Sequence, residues 1–225
     1  MAGWRDYWEA VPADERFPFP QQAGEYVDDL RREIGLDPSA SVLDFGCGFG
    51  TVAALVAPQV KTLSLWDASP AMRARAADRL RAQGNVRVAE LGTEGTTEGP
   101  FDLILVNSVV QYMTDAELGA WIGRWAGLLS PGGRVVVSDL IRPGTGLTAD
   151  LADMLRLSAR HRARVAAAGR ALRELRSYSQ VRRAHPLLAV DPADLCRRAE
   201  AVGLGAEILP ENLTHLRSRA TVVMG

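Results

Sequence analysis

Trp4, Tyr7, Trp8 and Val11 recur at helical spacing and predict an amphipathic helix over the first dozen residues. Phe17-Pro18-Phe19-Pro20 ends that pattern, because each proline disfavours helical geometry at the residue before it. Tyr26, Val27, Leu30 and Ile34 supply a second helical face, with Gly35 as a C-terminal cap and Asp37-Pro38 as a turn. Val42, Leu43 and Phe45 then read as a short buried strand, residues 51–57 as a helix and residues 62–66 as a second strand. Ser69, Pro70 and Gly84 mark the cap, first position and end of the next helix. Val86-Arg87-Val88 begins a third strand, and residues 101–106 form the near-continuous apolar run of a strand buried on both faces. Thr114 and Glu117 predict a capping box for a helix carrying Leu118, Trp121, Ile122, Trp125, Leu128 and Leu129. Val135-Val136-Val137 follows as a fifth strand. Asp191, Pro192 and Gly203 bracket a last helix, and residues 206–209 and 220–223 read as an antiparallel pair at the sheet edge. This alternation of strand and helix predicts an α/β fold built on a doubly wound parallel sheet.

Residues 147–188 interrupt the alternation. Leu151, Met154, Leu155, Val165, Leu172, Leu175 and Tyr178 suggest two helices there, inserted between the fifth strand and the last helix. The expected organisation is an N-terminal helical lid over residues 1–40, a core over 41–140, a helical cap over 141–190, and a helix and β-hairpin over 191–225 that complete the core. The aromatic N-terminus is compatible with plain core packing as well as with a lid.

Composition narrows the function classes. The chain has 225 residues and a formal net charge of −1, without the basic excess of a general nucleic-acid binder. Of its 26 basic residues only Lys61 is a lysine, a skew that reflects GC-rich coding rather than a choice of guanidinium chemistry. Between Arg142 and Arg183 ten arginines face only Asp150, Asp153 and Glu174. They form either a solvated helical face or a surface that attracts an anionic or carrier-tethered ligand. Cys47 and Cys196 fit no zinc spacing, no metal site is expected, and two thiols in a chain of this size suggest a reducing, cytoplasmic setting. Cys47 lies in a glycine turn, where packing rather than reactivity explains a small side chain. No window is apolar enough to span a membrane, and the N-terminus lacks the apolar core of a signal peptide.

The chemistry concentrates in Asp44-Phe45-Gly46-Cys47-Gly48-Phe49-Gly50, a glycine turn between a strand and a helix. Such a turn lets a ligand approach the backbone closely, with amide donors facing it. Dinucleotide sites space their glycines G-x-G-x-x-G, whereas the spacing here is G-x-G-x-G, and Asp44 would repel a pyrophosphate and attract a cation. Asp67 ends the second strand about twenty residues later, where one carboxylate can accept from both hydroxyls of a ribose.

These residues resemble motif I and the following acidic position of class I S-adenosylmethionine (SAM)-dependent methyltransferases. Residues 107–112, Asn107-Ser108-Val109-Val110-Gln111-Tyr112, resemble motif IV of small-molecule and peptide-synthetase-type members, and Leu129-Ser130-Pro131-Gly132-Gly133 resembles the family's turn into the fifth strand. The resemblance implies a Rossmann-like seven-stranded sheet whose last strand is inserted antiparallel. It implies SAM as cofactor, S-adenosylhomocysteine as product, and methyl transfer to oxygen, nitrogen or carbon of a small molecule, including natural-product acceptors. Asp44, Gly46, Cys47, Gly48 and Gly50 would then lie at the methionine end, Asp67 at the ribose, and Ala68 and Met72 against the adenine. The family's usual adenine-reading aspartate would fall on Leu91 or Gly92 and is missing, which leaves a backbone carbonyl there, as at Gly92, or Thr93 as the adenine contact. Asn107 and Ser108 would flank the methyl group, with Gln111 and Tyr112 behind them. His215, in a connection that includes Asn212, is the candidate base, with His161 and His185 as alternatives.

Two rivals remain open at this point: a non-catalytic SAM-binding regulatory or partner protein, and a nicotinamide-dependent oxidoreductase, which the glycine spacing and Asp44 disfavour. The residues specify neither the acceptor nor the oligomeric state.

Overall fold

The computed structural model describes residues 3–10, 20–91, 98–145, 185–214 and 216–225. The elements follow in the order α1 (Trp4–Ala10), α2 (Pro20–Glu33), β1 (Ser41–Phe45), α3 (Thr51–Val56), β2 (Thr62–Trp66), α4 (Pro70–Leu80), β3 (Val86–Val88), β4 (Phe101–Asn107), α5 (Asp115–Leu128), β5 (Leu129–Leu140), α6 (Pro192–Glu200), β6 (Ala206–Ile208) and β7 (Ala220–Met224). Seven strands form one sheet in the order β3-β2-β1-β4-β5-β7-β6. The strands β3, β2, β1, β4 and β5 pair in parallel, and β7 lies antiparallel to both β5 and β6. The expected antiparallel insertion of the last strand is therefore present.

Alternation along the strands builds two cores. Val42, Leu63, Leu65, Leu103, Leu105, Val136 and Val223 pack with Tyr26, Val27 and Leu30 of α2 and with residues of α3 and α4. Leu43, Phe45, Ile104, Val106, Val135, Val137 and Val222 pack on the opposite face with Leu118, Ile122 and Trp125 of α5 and Leu195 and Ala199 of α6. The period of two sends alternate residues to opposite faces, so an apolar run without polar interruptions is required where helices cover both.

Local signals set most boundaries. Ser69 accepts from the Met72 amide with Pro70 in the first turn, and the Thr114–Glu117 capping box forms in full. Asp191 accepts from the Ala193 amide at the start of α6. Gly35 and Gly203 adopt left-handed backbones just beyond α2 and α6. Three boundaries differ from expectation. Helix α4 stops at Leu80 rather than at Gly84, because Arg81 and Gln83 bond three residues back, to Asp78 and Leu80, and tighten the chain out of the α-helix. Helix α3 gives way at Ala57 to a 3₁₀ turn containing Pro58, which has no amide to donate. Strand β5 begins at Leu129, so the Pro-Gly-Gly stretch lies within it. A side chain at Gly133 would meet the Phe101 carbonyl oxygen at 2.7 Å.

Candidate active site at the carboxyl edge of the sheet

The strands β1, β2, β4 and β5 end together, and the candidate side chains collect there. After β1 the chain turns through Gly46, Gly48 and Gly50, all with positive φ. The sequence predicts loop amides facing a ligand, but several are used internally. Gly46 and Cys47 donate to the Trp66 carbonyl at 2.7 and 3.0 Å, Gly50 donates to the Cys47 carbonyl, and Gly48 donates to Asp67 Oδ2 at 3.0 Å. Asp67 Oδ1 accepts from the Ser69 amide at 2.9 Å, so one carboxylate ties the glycine turn to the start of α4. Each of its oxygens retains a second acceptor direction.

Asp44 lies beneath this turn, 4% exposed, and its Oδ2 has no hydrogen-bond partner among the described residues. Burial, and then the charge of Asp67, push its carboxyl up to about 7. Burial also raises Asp67, against the opposing pull of the Ser69 and Gly48 amides. The Cys47 thiol is pushed up by burial and by both carboxylates, which makes it a packed group and a poor nucleophile. Two carboxylates beside a turn whose Gly46, Cys47, Gly48 and Gly50 amides are used internally favour a cation and repel a phosphate. Met72 is buried at the first turn of α4, and Ala68 is exposed beside it.

The turn after β4 forms the opposite wall. Asn107 ends the strand with its Oδ1 buried and unpartnered among the described residues. Ser108 takes φ 58° and donates from Oγ to Asp139 Oδ2 at 2.7 Å. Val109 packs directly over the glycine turn: a Cβ on Gly46 would sit 2.2 Å from its Cγ2. The buried Gln111 accepts from Arg219 at 2.8 Å. Tyr112 packs against the rings of Trp4 and Trp8 with centroids at 4.9 and 5.6 Å. Helix α1 also sends Glu9 to the Ser69 hydroxyl, so it bridges the turn after β4 and the start of α4.

The family model described as "Methyltransferase domain" matches residues 43–135, which contain the glycine turn, Asp67 and the wall after β4. Residues 43–135 thus match a methyltransferase domain. The trans-aconitate 2-methyltransferase of Variovorax paradoxus (strain S110) is 32% identical over 49% of this chain and 42% of that protein. The chondramide synthase cmdD of Chondromyces crocatus is 31% identical over 62% of this chain but only 4% of its own length. The chain thus spans about half, or much less, of these curated relatives. Among solved structures, the N-methyltransferase NodS of Bradyrhizobium japonicum WM9 in complex with S-adenosyl-L-homocysteine has the same fold. It matches 98% of this chain and 95% of its own, with a TM-score of 0.61 at 16% identity.

Within residues 43–135 the structure brings Asp44, Gly46, Cys47, Gly48, Gly50 and Asp67 together at the ends of β1 and β2, with Asn107, Ser108, Gln111 and Tyr112 in the turn after β4 next to them. Gly92, Thr93, His161, His215 and the bulk of the cap lie outside the described residues. His185 is half-buried in a segment that reaches the site through Leu188, whose amide donates to the Gln111 carbonyl at 2.9 Å. Sequence reasoning overlooked Val109, Asp139, Thr214 and Arg219. A signal did exist, since Asp139 and Arg219 are charged residues at the ends of the apolar runs that form β5 and β7, at the edge where sites form.

Proposed function

We propose that this protein transfers a methyl group from SAM to an oxygen, nitrogen or carbon of a small-molecule acceptor. The observation that carries this reading is the Asp67 carboxylate, braced by the Gly48 and Ser69 amides with outward lone pairs left over, above the buried Asp44. The residues present fit the cofactor. Asp44 Oδ2 and Asn107 Oδ1 are buried acceptors lacking partners among the described residues, as a ligand carrying cationic and N–H groups requires.

SAM supplies a methyl group on a positive sulfur, already a good electrophile. The protein's work is therefore orientation and exclusion of water. Asp67 would hold the ribose hydroxyls, and Asp44 would stabilise the positive methionine end. Asn107 and Ser108 would border the transferring carbon, while Gln111 and Tyr112 shape the space for the acceptor. Helix α1, seated on Tyr112 and Ser69, would act as a lid over that space.

Calorimetric titration with SAM, followed by detection of S-adenosylhomocysteine against a panel of phenols, amines and carboxylic acids, tests the proposal. Binding with product formation is the expected result. Binding without turnover across the panel would favour the non-catalytic SAM binder, and absence of binding would overturn the proposal. The arginines of residues 142–183 support an anionic or carrier-borne acceptor, as does the similarity to a segment of a multidomain synthase. For an anionic acceptor from the panel, KM should climb as salt rises from about 0.1 to 1 M, where the screening length falls from ~10 to ~3 Å.

A further inference from the structure

We propose that Asp139 and Arg219 are positioning residues that hold the turn after β4 in register with the glycine turn, acting through Ser108 and Val109. This inference rests on the methyltransferase reading above. Asp139 gathers two other segments, the turn after β4 and the β6–β7 connection. Its carboxylate accepts from Ser108 Oγ at 2.7 Å after β4, from Thr214 Oγ1 at 3.1 Å in the β6–β7 connection, and from Arg219 Nη1 at 3.0 Å before β7. Its own amide donates to Asn212 Oδ1 at 3.2 Å. Arg219 Nη1 reaches Gln111 Oε1 at 2.8 Å, which adds a second tie to the wall after β4.

The hub has little slack. Asp139 and Arg219 are 6% and 7% exposed, and a buried ion pair with hydrogen-bonded partners is stiff because separating its charges away from water is costly. Ser108 and Asp139 both hold left-handed backbones, a conformation that persists only where the surroundings over-determine it. Val109 follows Ser108 and touches Gly46 so closely that no side chain fits between them. A backbone rotation at Ser108 that breaks its bond to Asp139 therefore moves Val109 against the turn that carries Gly48 and faces Asp67. The geometry links Arg219, Asp139, Ser108, Val109 and Gly46 in one continuous chain of contacts.

The test is SAM binding by calorimetry, with thermal unfolding alongside, for Ser108→Gly, Arg219→Lys, Asp139→Asn and the Ser108→Gly/Asp139→Asn pair. Ser108→Gly keeps the left-handed backbone without steric cost and removes only the hydroxyl, so its melting temperature should stay near wild type. Its SAM affinity should fall roughly tenfold, the equivalent of one charge-assisted hydrogen bond. Arg219→Lys keeps the charge but moves it off the position from which Nη1 bonds both Gln111 and Asp139, and its affinity should fall similarly. The double variant should bind no more weakly than the weaker single variant, since both break one chain. SAM affinities of Ser108→Gly and Arg219→Lys within twofold of a SAM-binding wild type would overturn the inference, as would losses that multiply in the double variant. Affinity losses that merely track lowered melting temperatures would also overturn it, by returning the pair to a structural role. A wild type that binds no SAM would overturn the cofactor proposal and this inference together.

Discussion

Ser108 and Asp139, at the ends of adjacent parallel strands, both adopt positive φ (58° and 68°) and are hydrogen-bonded to each other at 2.7 Å. Among the described residues they are the non-glycine positions with that geometry. Each such residue costs on the order of 1 kcal/mol or more, and the surrounding contacts offset this by satisfying a buried carboxylate. Strain of this kind concentrates where a protein fixes functional geometry, and here it sits beside the candidate methyl-transfer site.

Removing the cation of this cluster should be costly. Arg219→Met removes the buried cation 3.0 Å from the Asp139 carboxylate, and we expect a loss of about 3–5 kcal/mol in urea unfolding. Arg219→Met combined with Asp139→Asn should recover much of that loss, because the buried charge is gone. A single variant within about 1 kcal/mol of wild type would show that the pair is not effectively buried.

Asp67 provides the sharpest test of cofactor recognition. Asp67→Ala removes the candidate acceptor for the ribose and also the brace on the Gly48 amide, so SAM affinity should fall by about 2–3 kcal/mol or more. Unchanged calorimetric affinity in a folded variant would sink the assignment.

Gly46→Ala should be poorly tolerated for two separable reasons: a φ of 81° and a Cβ placed 2.2 Å from Val109 Cγ2. We expect destabilisation of roughly 1–3 kcal/mol. Adding Val109→Ala should relieve the clash but leave the backbone strain, so thermal unfolding of the pair should show partial rescue. Full additivity of the two losses would contradict the contact.

Asp44 links stability to pH with a definite sign. Burial holds its carboxyl at about 7, above its ordinary value, so between about pH 4 and 7 the folded state binds more protons than the unfolded one. Stability must then fall as pH rises through that window and level off above it. Asp67, also raised, acts in the same direction. The depressed carboxyls of Asp37, Asp102 and Asp194 act oppositely, but only as pH drops below the usual carboxylate range. Asp44→Asn should therefore melt higher than wild type at pH 8, with a smaller advantage at pH 5. An advantage that does not change with pH would refute the buried-charge account.

Much of the fold was legible in the sequence because its signals are local. The G-x-G-x-G turn, Asp67 after an apolar strand, the Thr114–Glu117 box and the near-continuous apolar run of residues 101–106 each depend on a few neighbouring residues, and the structure realises each of them. Glycine spacing and an acidic neighbour sufficed to favour a cation over a pyrophosphate, since both are properties of one turn. Tertiary structure decided what depends on residues distant in the chain. Val109 against Gly46 spans 63 positions, and Asp139 with Arg219 spans 80. Nothing in the local pattern around Arg219 distinguishes a buried, charge-compensated guanidinium from an exposed one in an arginine-rich chain. Only the insertion of β7 beside β5 brings it to the Asp139 carboxylate, and the low dielectric of that location turns an ordinary charge into a structural determinant of the site.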